Sequence, residues 1–175
     1  MTTFRSKDVE MAAVVDVEKR LVLITGTIDT NDHDILVRVD LPDAGEWSII
    51  KSETNLTDSS WFAWQITFGE GMFLAPGSED RVLARQYKAH YANAEKGRLT
   101  FYDGEVRPGE AVLKMFTIRT PVPRIVMAHD REKDPWMGMT SEQMLAKVKE
   151  GHPPRPYIEV YLPVRLVNTR VTELV

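Results

Sequence analysis

Residues 34–41 read Asp34-Ile35-Leu36-Val37-Arg38-Val39-Asp40-Leu41. Ile35, Val37, Val39 and Leu41 fall on one side of an extended chain, while Asp34, Arg38 and Asp40 fall on the other. This period of two marks a half-buried strand. The following Pro42-Asp43-Ala44-Gly45 is a turn, because proline presets φ and glycine accepts positive φ. The same period recurs on both sides of this stretch. Upstream, Val9, Met11, Ala13, Val15 and Val17 share a face over 9–18. The Lys19-Arg20 pair then leads into apolar 21–28, so a hairpin is expected. Downstream, 47–50, 61–68, 99–102, 111–120 and 124–128 read as further strands, with Phe62, Trp64, Ile66 and Phe68 on a single face of the second. Asp103-Gly104 reads as a tight turn, and the charged run 129–134 as a loop. A long last strand starts at Tyr157. Pro163 lacks the ladder donor and marks that strand as an edge or a bulge.

Two segments carry helical signals. Over 78–97, Ser78 is an N-cap candidate and Glu79 and Asp80 sit in the first turn. Leu83, Tyr87, Tyr91 and Ala94 recur at helical spacing, and Lys96-Gly97 closes the segment. The second helix starts at Thr140 with Gln143 as its capping-box partner and ends at Gly151. The expected fold is therefore mainly β (α+β): an antiparallel sheet or sandwich of about nine or ten short strands with two helices packed against it. Strand–helix alternation is too sparse for a doubly wound fold. No repeat or linker interrupts the 175 residues, so one β-rich domain over 1–175 is expected.

Composition narrows the function classes. The chain has 26 acidic against 22 Lys and Arg side chains, a net charge of −4, and 43% hydrophobic residues, which excludes a disordered tail or a rod. No cysteine is present, so disulfides, thiol catalysis and Cys-ligated zinc drop out. No apolar run is long enough to span a bilayer, and no signal peptide is readable. A cytoplasmic or virion location with no membrane partner is the expectation.

The motifs favour interfaces over chemistry. Asp29-Thr30-Asn31-Asp32-His33-Asp34 begins like a calcium loop, but its sixth position is Asp34 where that loop needs glycine. His129-Asp130 places an imidazole beside a carboxylate, yet strand neighbours point to opposite faces. Gly69, Gly71 and Pro76-Gly77-Ser78 match no phosphate-loop spacing, and no HExxH or GxSxG is present. No cofactor and no metal site follows. Pro135-Trp136-Met137-Gly138-Met139 places interface-prone side chains outside any period.

Several strands are also apolar on both faces. Leu21 and Leu23 alternate with Val22 and Ile24, and Leu113 and Met115 alternate with Val112 and Phe116. Such strands are covered on both sides, by helices or by neighbouring subunits. The leading expectation is a structural or assembly subunit of a homo-oligomer or larger complex, most concretely a small virion protein of a phage head, neck or tail. Its interface residues would be Trp136, Met137, Met139, Tyr157 and Tyr161. A nucleic-acid-binding protein using Arg81, Arg85 and Lys88 on the first helix, with Arg98 just beyond its end, is the alternative. A small-molecule enzyme using Asp32, His33, Asp34 and His129 is the third.

Overall fold

The computed structural model describes residues 3–133, 136, 138–151 and 155–169. In chain order the strands are β1 (Phe4–Arg5), β2 (Val9–Asp16), β3 (Leu21–Ile28), β4 (Asp34–Asp40), β5 (Gly45–Asn55), β6 (Trp61–Phe68) and β7 (Phe73–Leu74). They continue as β8 (Leu83–Ala84), β9 (Tyr87–Asn93), β10 (Arg98–Val106), β11 (Ala111–Thr120), β12 (Arg124–Glu132), β13 (Tyr157–Tyr161) and β14 (Val164–Val167). One sheet runs β1-β2-β3-β5-β11-β7, with β14 also on β2 and β8 also on β11. The other runs β13-β4-β12-β6-β10-β9. Val15, Val22, Ile24 and Ile49 from the first pack with Ile35, Val37, Ile66 and Met127 from the second in one apolar core.

Both sheets are mixed, which corrects the antiparallel expectation. β3 runs parallel to β5, β13 to β4, and β14 to β2. The reason lies in the connections. After β3 the chain crosses to the other sheet as β4 and returns as β5 beside β3 in the same direction. The turn after Leu41 is thus an arch between sheets rather than a hairpin. Arg20 holds it, donating to the carbonyl oxygens of Ala44 (2.6 Å) and Glu46 (2.8 Å), with its guanidinium 4.3 Å from the Trp47 ring centroid. The hairpin expected between 9–18 and 21–28 forms, with Val15 opposite Val22. The long last strand breaks at Leu162-Pro163. Its first half is the edge strand β13, and its second half changes sheets to become β14.

Among the described residues there is one α-helix, α1 (Ser141–Glu150). Its start follows the sequence signal: Thr140 Oγ1 accepts from the Gln143 N–H at 3.2 Å, and Gln143 Oε1 accepts from the Thr140 N–H at 2.9 Å. Gly151 ends it at φ 75°, a left-handed conformation that favours glycine. The helix expected over 78–97 does not form. Glu79–Arg81 is a single 3₁₀ turn, followed by β8 and β9. The apolar positions there satisfy strand as well as helix spacing, and pairing of β8 with β11 and of β9 with β10 decides between them.

One bulge corrects two smaller points. Asp103, at φ 63°, lies inside β10, where the register against β6 shifts between Tyr102 and Val106. Across the same irregularity Trp61 enters the main core while Phe62 packs on the opposite side of the sheet, so Phe62 does not share a face with Trp64. The charged run after Ala128 is strand as far as Glu132, because His129 and Arg131 point inward at positions that pattern reading reserves for apolar residues.

Candidate functional site: an uncovered sheet face and a sealed charged cluster

The two sheets differ in what covers their outer faces. On the six-stranded sheet, α1 and Trp136 pack on Ala63 and Tyr102, with Phe62, Ala89, Tyr91, Met139, Met144 and Leu145 around them. Trp136 is only 7% exposed there, so it closes over its own chain. Met139 is half-buried in the same cluster, and Met137 lies outside the described residues. Tyr157 and Tyr161, half-exposed, project from the edge strand β13.

On the eight-stranded sheet the strand register builds a different surface. Val14 faces Leu23, Leu23 faces Ile50, Ile50 faces Met115, and Met115 faces Leu83. Five strands thus contribute one side chain each to a continuous apolar row. Four of its members are half-buried, and Leu83 is 52% exposed. The row on one side is Leu21, Ser48 and Thr117; the row on the other is Ala12, Thr25, Ser52 and Leu113. None of these twelve positions is charged. Ser48 Oγ and Thr117 Oγ1 lie 3.1 Å apart and satisfy each other. Charge appears at the margin, at Asp16 opposite Leu21, at Arg85 beside Leu113, at Arg165 beside Val14 and at Glu46 opposite Arg119. Among the described elements the one α-helix lies away from this face, packing on β9 and β10. Two of these five strands, β3 and β11, are the ones that the sequence marked as apolar on both faces.

The sequence-expected basic residues do not form one stripe. Arg81 is in the 3₁₀ turn, Arg85 follows β8, and Lys88 and Arg98 stand on opposite faces of their sheet by register. Arg98 donates to the Lys149 carbonyl at the end of α1. The acidic loop is stapled inward by its backbone. Arg131 donates to the carbonyls of Thr30 (2.5 Å) and His33 (3.0 Å), and Trp61 Nε1 donates to Asn31 Oδ1 at 2.8 Å. Asp32 and His33 line an open recess of about 610 Å³ together with Lys7, Asp58 and Lys133. Asp34 is buried and accepts from the Arg155 N–H. His129 is in the core, apart from that recess. Among the described residues no group of His, Asp and Glu side chains is arranged to hold a metal ion.

Between the sheets lies a feature that sequence reading missed. On β5 the inward positions run Trp47, Ile49, Lys51, Glu53 and Asn55, and on β11 they run Val112, Lys114, Phe116 and Ile118. The side chains of Lys51, Glu53 and Lys114 have no solvent exposure. Lys51 Nζ donates to Glu53 Oε2 at 2.5 Å and contacts His129 Nε2 at 2.6 Å from the opposite sheet. His129 Nδ1 faces the Ile35 carbonyl at 3.2 Å, so Nδ1 carries the proton and Nε2 accepts from Lys51. Lys114 Nζ sits 2.9 Å from Glu53 Oε1, an ion-pair distance at an angle outside hydrogen bonding, and 2.9 Å from the Trp64 ring centroid.

Three basic side chains, Lys51, Lys114 and Arg131, lie around one carboxylate, and the protonation states follow from that. Burial pushes Lys114 well below the usual lysine range, with the Lys51 and Arg131 charges adding to it against the pull of Glu53. Burial likewise lowers Lys51, and it holds His129 well below the ordinary histidine value, neutral in the fold. Burial alone would raise Glu53, but the adjacent Lys114 and Lys51 outweigh it and keep the carboxylate ionised. The signal was available in β11, where Lys114 occupies the apolar period of Val112, Phe116 and Ile118.

No curated protein and no solved structure matches the chain. One family profile matches residues 11–168, from β2 through the last described strand, and the chain belongs to that family, the family of unknown function DUF6423.

Proposed function

We propose that this protein is an assembly subunit that pairs with a second copy of itself through the outer face of the eight-stranded sheet. A small virion component, in a phage head, neck or tail, is the concrete form of this reading. The observation that carries it is the uncharged row Val14–Leu23–Ile50–Met115–Leu83, with its two flanking rows, on a sheet face that no α-helix among the described residues covers. Sheets expose such faces to partners rather than to water. Five strands and three rows span about 24 by 20 Å, so two such faces bury about 1,000 Å² in total, the lower bound for a specific interface.

A second copy is the fitting occupant because the chain is acidic overall while this face carries no charge at its centre. Two copies meet there without like-charge repulsion, and packed sheets align at about 30° in that arrangement. Tyr157 and Tyr161 on the free edge of β13 supply a second docking element for higher assembly.

Light scattering after gel filtration tests the reading. A particle of about twice 20.0 kDa is expected, and Ile50→Lys with Met115→Glu, an opposite-charge pair across β5 and β11, should return it to one chain with its strand content by circular dichroism unchanged. A wild-type protein that stays at one chain mass at high concentration refutes it. A peak with excess absorbance at the nucleic-acid wavelength would favour the basic residues instead.

A further inference from the structure

We propose that Lys114 and Glu53 condense in the folded protein to an intramolecular amide, a covalent staple between β11 and β5. The geometry carries it. The Lys114 amine is within 2.9 Å of a Glu53 carboxyl oxygen without donating a hydrogen bond to it, and the Trp64 ring presses on it from the other side. Both side chains are sealed from solvent, so no diffusing substrate reaches them and each has the other as its reaction partner. Asn55, the next inward side chain on β5, is not available as an acyl group. Its amide nitrogen donates to the carbonyls of Ser59 and Val106, and its oxygen accepts from Thr57.

The chemistry balances within the cluster. A lysine desolvated among other cations is held as the neutral amine, which is the nucleophilic form. Lys114 Nζ attacks Cδ of Glu53, and a new C–N bond forms. Lys51, as the ammonium bonded to Glu53 Oε2, delivers one proton to the departing oxygen, and the attacking nitrogen gives up the other. One C–O bond breaks and one water leaves. Lys51 ends as the neutral amine beside neutral His129, whose Nε2 keeps it oriented. No oxidant, reductant or further reactant is consumed.

The driving force is electrostatic. The Lys51–Glu53 ion pair lies deep in the fold and loses the hydration of both charges, and its mutual attraction repays that only in part. Lys114 also stands directly opposite Lys51 in the strand register, where a second ammonium would face a like charge. Amide formation removes the carboxylate and the second amine together and leaves one cation fewer in the core.

Lys51 lies on the same strand as Glu53 and already has His129 and Glu53 as hydrogen-bond partners, so Lys114 is the assigned nucleophile. This inference is independent of the pairing proposed above, since it concerns the interior of one chain.

Denaturing intact-mass spectrometry on the purified, folded full chain tests it. The expected mass is lighter than the sequence mass by one water, and a tryptic digest should contain peptide 52–81 joined to peptide 99–119 through Glu53 and Lys114. Lys114→Met should restore the full sequence mass. If that variant does not fold, the wild-type mass and peptide map decide alone. A wild-type chain at full sequence mass overturns the proposal, and so does a loss of water that maps to any other pair.

Discussion

Trp136→Ala separates a lid from a docking element. Trp136 is 7% exposed and packs on Ala63, Tyr102 and Val148. A buried aromatic side chain of this kind hides about 150–250 Å². At about 25 cal/mol per Å² that burial is worth about 4–6 kcal/mol. Compaction of the unfolded chain and the retained alanine reduce the loss to about 3 kcal/mol, at the lower end of the range for a buried tryptophan truncated to alanine. In a chain of this length about 3 kcal/mol lowers the thermal midpoint by about 6–12 °C. Trp136→Phe behaves differently. The indole Nε1 has no hydrogen-bond partner among the described residues, and an unmet buried donor costs about 1–3 kcal/mol. Phenylalanine removes that donor and keeps most of the ring, so its unfolding free energy should stay within about 1 kcal/mol of wild type. Urea and thermal unfolding of both variants, with the oligomer mass read alongside, make the comparison. If Trp136→Ala leaves the midpoint in place and reduces the oligomer mass, the lid assignment is wrong and the side chain belongs to an interface.

Two further outcomes follow from the interior. His129 is neutral in the fold, with its pKa held below the ordinary 6.5, whereas in the unfolded chain it takes a proton near that value. Its contribution to stability is therefore present above pH 6.5 and is lost as pH falls below it, by up to about 1.4 kcal/mol per pH unit for one proton. Urea midpoints between pH 7.5 and 5.5 should show that slope, and His129→Gln should flatten it; a wild-type stability that rises on acidification contradicts the assignment. Gly104 offers a backbone test, because a Cβ there would lie 2.0 Å from the Gln86 carbonyl oxygen. Gly104→Ala must push β10 away from the start of β9, and denaturant unfolding should show a loss of more than about 2 kcal/mol, whereas Gly109→Ala, with open space around it, should lose only the roughly 1–2 kcal/mol of its left-handed backbone at φ 86°.

The sequence by itself determined most of the strands and the true helix. The period of two in 34–41 and in 111–120, and the capping box of Thr140 and Gln143, are local statements: alternation and a reciprocal hydrogen bond act over a few residues and need no knowledge of the rest. It also showed which strands are apolar on both faces, and the register turns that into one uncharged surface. Three things were decided only by tertiary structure. Short turns such as 42–44 are compatible with a hairpin or an arch, so which sheet the next strand joins depends on where the partner strand lies, and mixed sheets follow. Residues 83–93 fit helical and extended spacing alike, and pairing with β11 and β10 chose the second. Lys51, Glu53, Lys114, His129 and Arg131 read as solvated charges in isolation. They become core residues because strands far apart in the chain bring them within reach of one another, where each charge finds a partner that sequence distance conceals.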